Sequence, residues 1–166
     1  MRAVDKIRYI LNVLFLIGAA VTFVLFLLNG DGAPTEVAGV PPDYFSEDGQ
    51  LWGNPLYNWE KMKEDGYAWW TARLQKALSL YDLVRIDHFR GFAGYYSIPY
   101  GHDTAREGEW REAPGKELFR EIKQAFPEAK IIAEDLGDIT DEVRRLVNYS
   151  GFPGMSVLQF AFIGED

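Results

Sequence analysis

The longest uninterrupted apolar stretch lies near the N-terminus, over residues 9–28, and reads YILNVLFLIGAAVTFVLFLL without a charged side chain. At about 1.5 Å per residue, such a stretch spans the roughly 30 Å hydrocarbon core of a bilayer. The pattern therefore predicts one transmembrane helix. Arg2, Lys6 and Arg8 precede it. The positive-inside rule then predicts a cytoplasmic N-terminus, with the rest of the chain outside.

The same stretch also fits a second role, the apolar part of a long signal peptide. Gly30 and Gly32 would then be the small residues before the cleavage site. The length of the stretch favours an anchor that is not cleaved. We assign residues 1–32 to an N-terminal transmembrane helix with its linker, and we expect a membrane-anchored protein.

Beyond residue 42 the apolar positions follow the periods of regular secondary structure. Three segments show helical spacing, and three short apolar runs are typical of buried strands. The predicted elements, in chain order, are a helix over Tyr67–Tyr81, a strand over Leu83–Ile86, a helix over Lys116–Phe126, a strand over Lys130–Ala133, a helix capped by Thr140, and a strand over Ser156–Phe162.

This alternation of helices and strands predicts an α/β fold with a parallel sheet. In such folds, functional side chains lie just past the carboxyl ends of the strands. Two polar clusters occupy those places. Arg85, Asp87 and His88 surround the end of the first strand, and Glu134 and Asp135 follow the second. We therefore expect both clusters at one edge of the sheet.

Residues 41–55, PPDYFSEDGQLWGNP, combine turn-forming Gly, Pro and Asn with large aromatic side chains. The composition predicts a long loop. Loops of this length inside a compact domain are usually functional or disordered. The aromatic side chains favour an ordered, functional loop.

Composition excludes several classes of function. The chain has 166 residues and a formal net charge of −8, which argues against nucleic acid because that partner selects basic surfaces. It contains no Cys, which excludes a thiolate nucleophile, and its two His are too few for a zinc site without carboxylates. Aromatic residues make up 15% of the chain, which suits either a large core or a surface that binds sugars.

Asp87 and Glu134 supply the chemistry available at the predicted edge. Neighbouring parallel strands lie about 4.8 Å apart, so the two carboxylates emerge side by side if their strands pair. A retaining glycosidase uses one carboxylate to attack the anomeric carbon, and the other to protonate the leaving oxygen and then activate the acceptor. Arg85 would keep the nucleophile ionised, while His88 and Arg90 could contact sugar hydroxyls. Alternatively, Arg85 and Asp87 form a buried ion pair that only organises the edge.

Three motifs, VRIDHFRGF, IIAEDLG and GVPPDYFSEDGQLWGNP, together resemble the amylomaltase family of 4-alpha-glucanotransferases. The resemblance extends from about residue 33 to residue 162. It implies a (β/α)8 barrel that transfers α-1,4-glucan segments between maltooligosaccharides with retention of configuration. It also implies a reaction without metal or organic cofactor, in an enzyme family that is normally cytoplasmic.

The resemblance implies roles for individual residues. Asp87 matches the nucleophile and Glu134 the general acid/base. Arg85 and His88 match side chains that orient the nucleophile and contact the donor sugar, and Asp135 supports the acid. The residues that match the family's substrate-covering loop, and are therefore candidate glucan contacts, are Asp43, Tyr44, Phe45, Trp52, Gly53 and Asn54.

Part of the family pattern is absent from this sequence. The family has a third catalytic carboxylate in a Thr-His-Asp motif, which this chain lacks. Residues 33–166 are therefore predicted to form a partial barrel, roughly three of eight strands. Its open edges would leave the isolated chain poorly stable or inactive. The N-terminal segment is either a true fusion or an unrelated segment joined to this fragment.

The sequence leaves three functions open. The first is a 4-alpha-glucanotransferase, and the second is an α-amylase-type hydrolase with the same pair of carboxylates. The third is an inactive membrane-anchored fragment that only binds glucan. The aromatic loop favours transfer, because a covered site keeps water away from the glycosyl-enzyme.

Overall fold

The computed structural model describes residues 26–137 and 139–162, which divide into two compact units. The first unit contains residues 26–62 and 96–109. The second contains residues 63–95 and most of the chain from residue 110 onwards. Each unit therefore joins segments that lie far apart in the sequence.

Strands and helices alternate irregularly along the described residues. The elements, in chain order, are β1 (Glu36–Val40), β2 (Gln50–Pro55), α1 (Trp59–Glu64), α2 (Ala68–Leu78), β3 (Val84–Ile86), a 3-10 helix (Phe89–Phe92), β4 (Gly94–Pro99), β5 (Glu109–Glu112), α3 (Gly115–Ala125), β6 (Ile131–Ala133), α4 (Asp141–Ser150) and a second 3-10 helix (Leu158–Phe162).

A four-stranded sheet has the order β2-β1-β4-β5, and β1 runs antiparallel to both β2 and β4. Val37 lies opposite Ile98 and Gly39 opposite Tyr96. Val37, Tyr96 and Ile98 are buried together with Ala105, whose carbonyl accepts the Tyr96 hydroxyl at 3.2 Å. This small core holds the first unit together. The sequence pattern predicts none of the strands β1, β4 and β5.

The predicted loop over residues 41–55 is shorter in the structure, because Gln50–Pro55 form β2. Gln50 lies opposite Val40, and Leu51 lies opposite Gly39. The exposed strand lacks the alternating apolar side chains that mark a half-buried strand in a sequence. It pairs through backbone groups, which residue types such as Gly and Asn supply as well as any other.

Residues 26–28, at the end of the predicted transmembrane helix, are paired as extended chain. Phe26 forms an antiparallel bridge with Tyr57 and stacks on its ring at 5.2 Å, and Leu28 forms a bridge with Pro34. The helix prediction is therefore wrong for these three residues, while residues 9–25 lie outside the described part of the chain. Within residues 26–137 and 139–162, no helix has the length and apolarity needed to cross a bilayer.

The predicted parallel pairing is confirmed for β3 and β6. Val84 lies opposite Ile131, and Ile86 lies opposite Ala133. Ile86, Ile131 and Ala133 are buried. The sequence predicts a single helix between these two strands. In the structure the connection contains β4 and β5 as well as α3.

The predicted strand over Ser156–Phe162 is wrong, because Leu158–Phe162 form a 3-10 helix. The segment that runs beside β6 is Pro153–Met155, and its Pro153 carbonyl accepts the Ala133 N–H at 2.9 Å. Short apolar runs do not distinguish strands from other buried segments. Here the true neighbour of β6 carries Pro and Gly, which are poor strand formers.

The three predicted helices are present, with ends shifted by one to three residues. On α3, Leu118, Phe119 and Ile122 are buried, as their helical spacing predicts. On α4, Val143 and Leu146 are buried. Thr140 stands at the N-cap position of α4, although its side chain makes no capping hydrogen bond.

An aromatic cluster fills the core of the second unit. Phe89 stacks on Phe119 with ring centroids 4.9 Å apart and an interplanar angle of 10°. Phe92 and Phe152 contact Phe119 at 5.2 and 5.5 Å, and Trp70 contacts Phe92 at 5.2 Å. Phe89 and Phe92 follow β3 in the chain, so the cluster anchors the segment that comes after the strand.

Replacing Phe119 by Ala should lower the free energy of unfolding by about 3–5 kcal/mol, because it removes a fully buried ring that touches three others. Urea unfolding measures this loss. Tyr81→Ala removes a ring that is 64% exposed, and should change the free energy by at most about 0.5 kcal/mol. Equal effects of the two substitutions would contradict the assignment of this core.

Candidate active site

The pairing of β3 and β6 continues past the last residue of each strand. The Glu134 N–H donates to the Ile86 carbonyl at 2.9 Å, and the Phe89 N–H donates to the Glu134 carbonyl at 2.9 Å. Because Ile86 lies opposite Ala133, the next residues in register are Asp87 and Glu134. Their backbones therefore lie on neighbouring strands at one edge of the sheet, about 4.8 Å apart.

The Glu134 carboxylate is held by backbone donors on both of its oxygens. The His88 N–H donates to Oε2 at 2.8 Å, and the Leu136 N–H donates to Oε1 at 3.1 Å. Each carboxylate oxygen has two lone pairs, so one lone pair on each oxygen stays available for a proton. The contacts therefore fix the orientation of Glu134 without preventing proton transfer.

His88 turns the chain so that its N–H reaches Glu134. Its backbone is left-handed, with φ 47° and ψ 53°. That conformation is unfavourable for residues with a Cβ, although His adopts it more readily than most. Ile86, two residues before it, and Phe89, directly after it, are both buried. We infer that these buried neighbours hold His88 in the left-handed turn.

The imidazole of His88 has a lowered pKa. Burial is the largest cause, because it disfavours the charged form, and the nearby Arg90 guanidinium acts in the same direction. Glu134 and Asp87 oppose the shift without cancelling it. His88 is therefore neutral near pH 7, with one nitrogen that donates and one that accepts.

Arg85 and Asp87 form the predicted ion pair, with Nη2 and Oδ1 2.6 Å apart. The alternative of a buried pair is wrong, because the Arg85 side chain is 53% exposed and that of Asp87 is 72% exposed. Exposed ion pairs typically contribute about 0–1 kcal/mol to stability. The contact therefore orients the Asp87 carboxylate more than it stabilises the fold.

Arg90, a candidate sugar contact, packs against an aromatic side chain. Its guanidinium carbon lies 4.4 Å from the centre of the Trp110 ring. A guanidinium at this distance is attracted by the ring face. This contact limits the freedom of Arg90 to turn towards a ligand.

Asp135 points its carboxylate to the side of β6 that faces away from β3. Its Oδ1 accepts the Met155 N–H at 2.8 Å. The sequence does not reveal Met155 and Leu136 as partners of the two acidic residues, because a backbone donor is present in nearly every residue type and leaves no compositional signal. The Pro-Gly pair before Met155 signals only a turn.

Three of the predicted glucan contacts lie in the loop before β2, in the first unit. Tyr44 is 97% exposed and Phe45 is 91% exposed, and their rings meet edge to face at 5.5 Å. Asp43 holds the loop in shape, because its Oδ1 accepts the N–H groups of Phe45 and Ser46, each at 2.8 Å. The loop is ordered by its own hydrogen bonds, and it presents two rings to solvent.

The other three predicted contacts, Trp52, Gly53 and Asn54, are exposed residues of β2. The Trp52 indole donates to the Gln50 side-chain carbonyl at 3.1 Å. Gly53 has φ 77°, a left-handed conformation that glycine adopts without strain. All six candidate contacts belong to the first unit, whereas the two acidic clusters belong to the second.

A candidate metal centre is not found in the described part of the chain. Within residues 26–137 and 139–162, no three His, Asp or Glu side chains are grouped closely enough to hold a metal ion.

Comparisons with known proteins match most of this chain. The family model described as 4-alpha-glucanotransferase, glycoside hydrolase family 77, matches residues 21–166. The 4-alpha-glucanotransferase of Streptococcus pneumoniae serotype 4 is 56% identical over 142 residues, covering 86% of this chain and 28% of that protein. The 4-alpha-glucanotransferase of Thermus thermophilus is 58% identical over 137 residues, covering 82% of this chain and 27% of that protein.

A solved structure with a similar fold is that of amylomaltase from Streptococcus agalactiae in complex with acarbose. It has a TM-score of 0.79 and 49% sequence identity, over 83% of this chain and 28% of that one. The family match begins at residue 21, inside the apolar stretch and before the predicted domain boundary at residue 33. The comparisons therefore do not support an unrelated segment up to residue 32. The chain spans little more than a quarter of the length of the two curated relatives.

Lowering the pH below about 6.5 should lower the free energy of unfolding through His88. The pKa of His88 is lower in the folded than in the unfolded chain, so protons bind preferentially to the unfolded chain. The stability that depends on a neutral His88 is fully present above its ordinary pKa of 6.5. It is lost as the pH falls towards the lowered pKa of His88 in the folded chain.

Urea unfolding between about pH 7.5 and about pH 5 measures this effect. His88→Asn is the comparison variant, because Asn also tolerates a left-handed backbone. It should lose less stability than the wild type over this range. The same pH dependence in both proteins would contradict the assignment.

Proposed function

The chain belongs to the 4-alpha-glucanotransferase family, glycoside hydrolase family 77, and we propose that its residues carry out the transfer of α-1,4-glucan segments between maltooligosaccharides. The observation that carries the proposal is the pairing of β3 with β6, which brings Asp87 and Glu134 to neighbouring positions. Because the chain matches 28% of the Streptococcus pneumoniae relative, we propose this activity for these residues within an intact barrel.

The proposed reaction is a double displacement at the anomeric carbon. The Asp87 carboxylate attacks this carbon while its bond to the leaving glucan oxygen breaks, and the Glu134 carboxyl donates a proton to that oxygen. Glu134 then takes a proton from an acceptor hydroxyl, which attacks the same carbon and releases Asp87. Two inversions give net retention, for which the carboxyl groups must lie about 5–5.5 Å apart. The spacing of neighbouring strands, about 4.8 Å, is compatible with that separation.

The surroundings of the two carboxylates support different roles. Asp87 is exposed and paired with Arg85, so it is accessible to a substrate and lies beside a cation. Glu134 is half-buried and held by two backbone donors. A nucleophile must reach the sugar carbon, whereas an acid/base must stay in one orientation through two proton transfers. We therefore assign the nucleophile to Asp87 and the acid/base to Glu134.

His88 supports a neutral sugar as the ligand at this edge. Its lowered pKa keeps the imidazole uncharged near neutral pH, and the uncharged ring can both donate to and accept from hydroxyl groups. Asp135 supports the acid from the other side of β6. No step of this mechanism requires a metal or an organic cofactor.

We propose that these strands and helices form part of a (β/α)8 barrel. The parallel pairing of β3 and β6, with α3 before β6 and α4 after it, is the pattern of neighbouring barrel units. The acidic residues lie past the carboxyl ends of both strands, which is where barrel enzymes place their active sites. The similarity to an amylomaltase structure supports the same proposal.

The aromatic loop supports glucan binding. Tyr44 and Phe45 expose two rings on a loop held by Asp43, and exposed aromatic faces suit the apolar faces of sugar rings. Trp52 on β2 offers a third exposed ring. We propose that these side chains bind the glucan, together with Gly53 and Asn54. Attachment to a membrane through residues 9–25 stays a prediction.

A chimera tests the proposed activity. Residues 26–162 of this chain replace the matching segment of the Streptococcus pneumoniae 4-alpha-glucanotransferase, which is 56% identical. With maltotriose, we expect glucose together with longer maltooligosaccharides. Maltose and glucose alone would indicate hydrolysis. Saturable binding of maltooligosaccharides without any product would indicate a fragment that only binds glucan.

Asp87→Asn in this chimera should lower the rate of transfer by at least about 10³-fold, because the amide cannot form the glycosyl-enzyme. Product chromatography measures the rate. Asp82→Asn makes the same change in charge just before β3 and should leave transfer unchanged. Retained activity in the Asp87 variant would show that the nucleophile is misassigned.

Glu134→Gln should abolish transfer from maltotriose, but should retain part of the reaction of maltosyl fluoride. Fluoride leaves without a proton from the enzyme, so the first step no longer needs the acid. Release of fluoride measures that step directly. If both substrates lose activity equally, Glu134 does not act as the acid.

A further inference from the structure

Gly154 lies against the carboxylate of Asp135. A Cβ at position 154 would lie 2.4 Å from Asp135 Oδ2, 2.7 Å from Oδ1 and 2.8 Å from Cγ. Real Cβ atoms essentially never come so close to another heavy atom. All three of these atoms belong to one side chain, so the carboxylate occupies the space where any other residue would carry its Cβ.

Backbone conformation does not explain a glycine at this position. Seven other glycines, among them Gly137 and Gly151, have positive φ values between 66° and 93°, whereas Gly154 is not among them. An L-residue can therefore adopt the backbone of Gly154. We infer that the need for glycine here comes from the space that the Asp135 carboxylate takes.

The carboxylate in that space joins two segments. Asp135 follows Glu134 at the end of β6, and its Oδ1 accepts the Met155 N–H at 2.8 Å. Next to this contact, the Ala133 N–H donates to the Pro153 carbonyl at 2.9 Å. Two hydrogen bonds thus attach the segment Pro153–Met155 to the end of β6, one between backbone groups and one to the Asp135 carboxylate.

The same short stretch of chain also holds Glu134. Leu136, the residue after Asp135, donates its N–H to Glu134 Oε1 at 3.1 Å. If the Asp135 carboxylate loses its hydrogen bond to Met155, the backbone of Asp135 is held only on its N-terminal side, through Glu134. The direction of the Leu136 N–H depends on that backbone, because one peptide plane joins the two residues.

We propose that Gly154 is a positioning residue for Glu134. The space at Gly154 admits the Asp135 carboxylate, which fixes the end of β6 and keeps the Leu136 N–H directed at Glu134. This inference rests on the proposed function, since that is where Glu134 is assigned as the acid/base. The residue acts through Asp135 and does not itself touch the substrate.

Gly154→Ala tests the proposal without altering either acidic residue. The three atoms nearest to the new Cβ all belong to the end of the flexible Asp135 side chain, so this carboxylate should rotate away while the fold persists. Amide hydrogen exchange, followed by NMR on the full chain, reports the two N–H groups. We expect the Met155 and Leu136 amides to exchange roughly fivefold faster or more, as the loss of a typical hydrogen bond implies. Amides inside α3 should not change.

Two further variants separate the specific effect from general damage. Gly30→Ala is the matched control, because a Cβ there meets nothing within 4 Å and its φ is not positive, so exchange should be unchanged. Asp135→Asn keeps a side-chain carbonyl and should retain slow exchange at Met155. Asp135→Ala removes the acceptor without a clash, so it gives the same test if the Gly154 variant fails to fold. Unchanged exchange at Met155 or Leu136 in the variant that folds would overturn the proposal.

The effect on the reaction is measured in the chimera described above. Gly154→Ala should lower the rate on maltotriose about tenfold or more, and should lower fluoride release from maltosyl fluoride less, because misplacing the acid matters most for the poor leaving group. Equal losses on both substrates would overturn a positioning role. If the parent chimera makes no product, the proposed function fails, and the exchange rates of Leu136 alone decide this inference.

Discussion

The backbone pairing of β3 with β6 is the interaction on which the candidate site depends. Asp87 and Glu134 are separated by 46 residues that include three strands and an α-helix, and nothing in the local sequence brings them together. The parallel ladder does so, because its hydrogen bonds continue through Glu134 to Ile86 and Phe89. The buried side chains of Ile86 and Phe89 lock that register. The site therefore has the precision of a packed sheet rather than that of a flexible loop.

At the end of this ladder, acidic side chains replace backbone carbonyls as the acceptors of hydrogen bonds from backbone N–H groups. Strands that stop leave N–H groups that need acceptors. Glu134 accepts the N–H of His88 on one side of β6, and Asp135 accepts that of Met155 on the other. Two consecutive carboxylates thus tie β6 to both of its neighbours. The same contacts that complete the fold also orient the group proposed to transfer protons, so stability and chemistry are coupled at this point.

Aromatic residues serve two purposes in this chain, and burial separates them. Phe89 and Phe119 are fully buried and stacked, and they anchor the segment that follows β3. Tyr44 and Phe45 are almost fully exposed on a loop that Asp43 fixes through backbone hydrogen bonds. A ring left in water at the tip of an ordered loop adds nothing to the core. Under the proposed function, such a ring would bind a ligand with apolar faces, as a glucan has.

The sequence by itself determined three of the four α-helices in the described residues, the two buried strands and the acidic residues at their ends, because helical spacing and apolar runs are local signals. It did not determine the short helix α1. It did not determine β1, β2, β4 or β5, whose pairing uses backbone groups that nearly all residues share. The sequence also predicted the wrong neighbour for β6. The segment beside β6 is Pro153–Met155, which is held by one backbone hydrogen bond and by a hydrogen bond to the Asp135 carboxylate. Only the tertiary structure decided that the Arg85–Asp87 pair is exposed, that His88 is left-handed, and that Gly154 makes room for a carboxylate. Each of these depends on atoms brought together by folding, and hydrogen-bond geometry and close packing leave no periodic trace in a sequence.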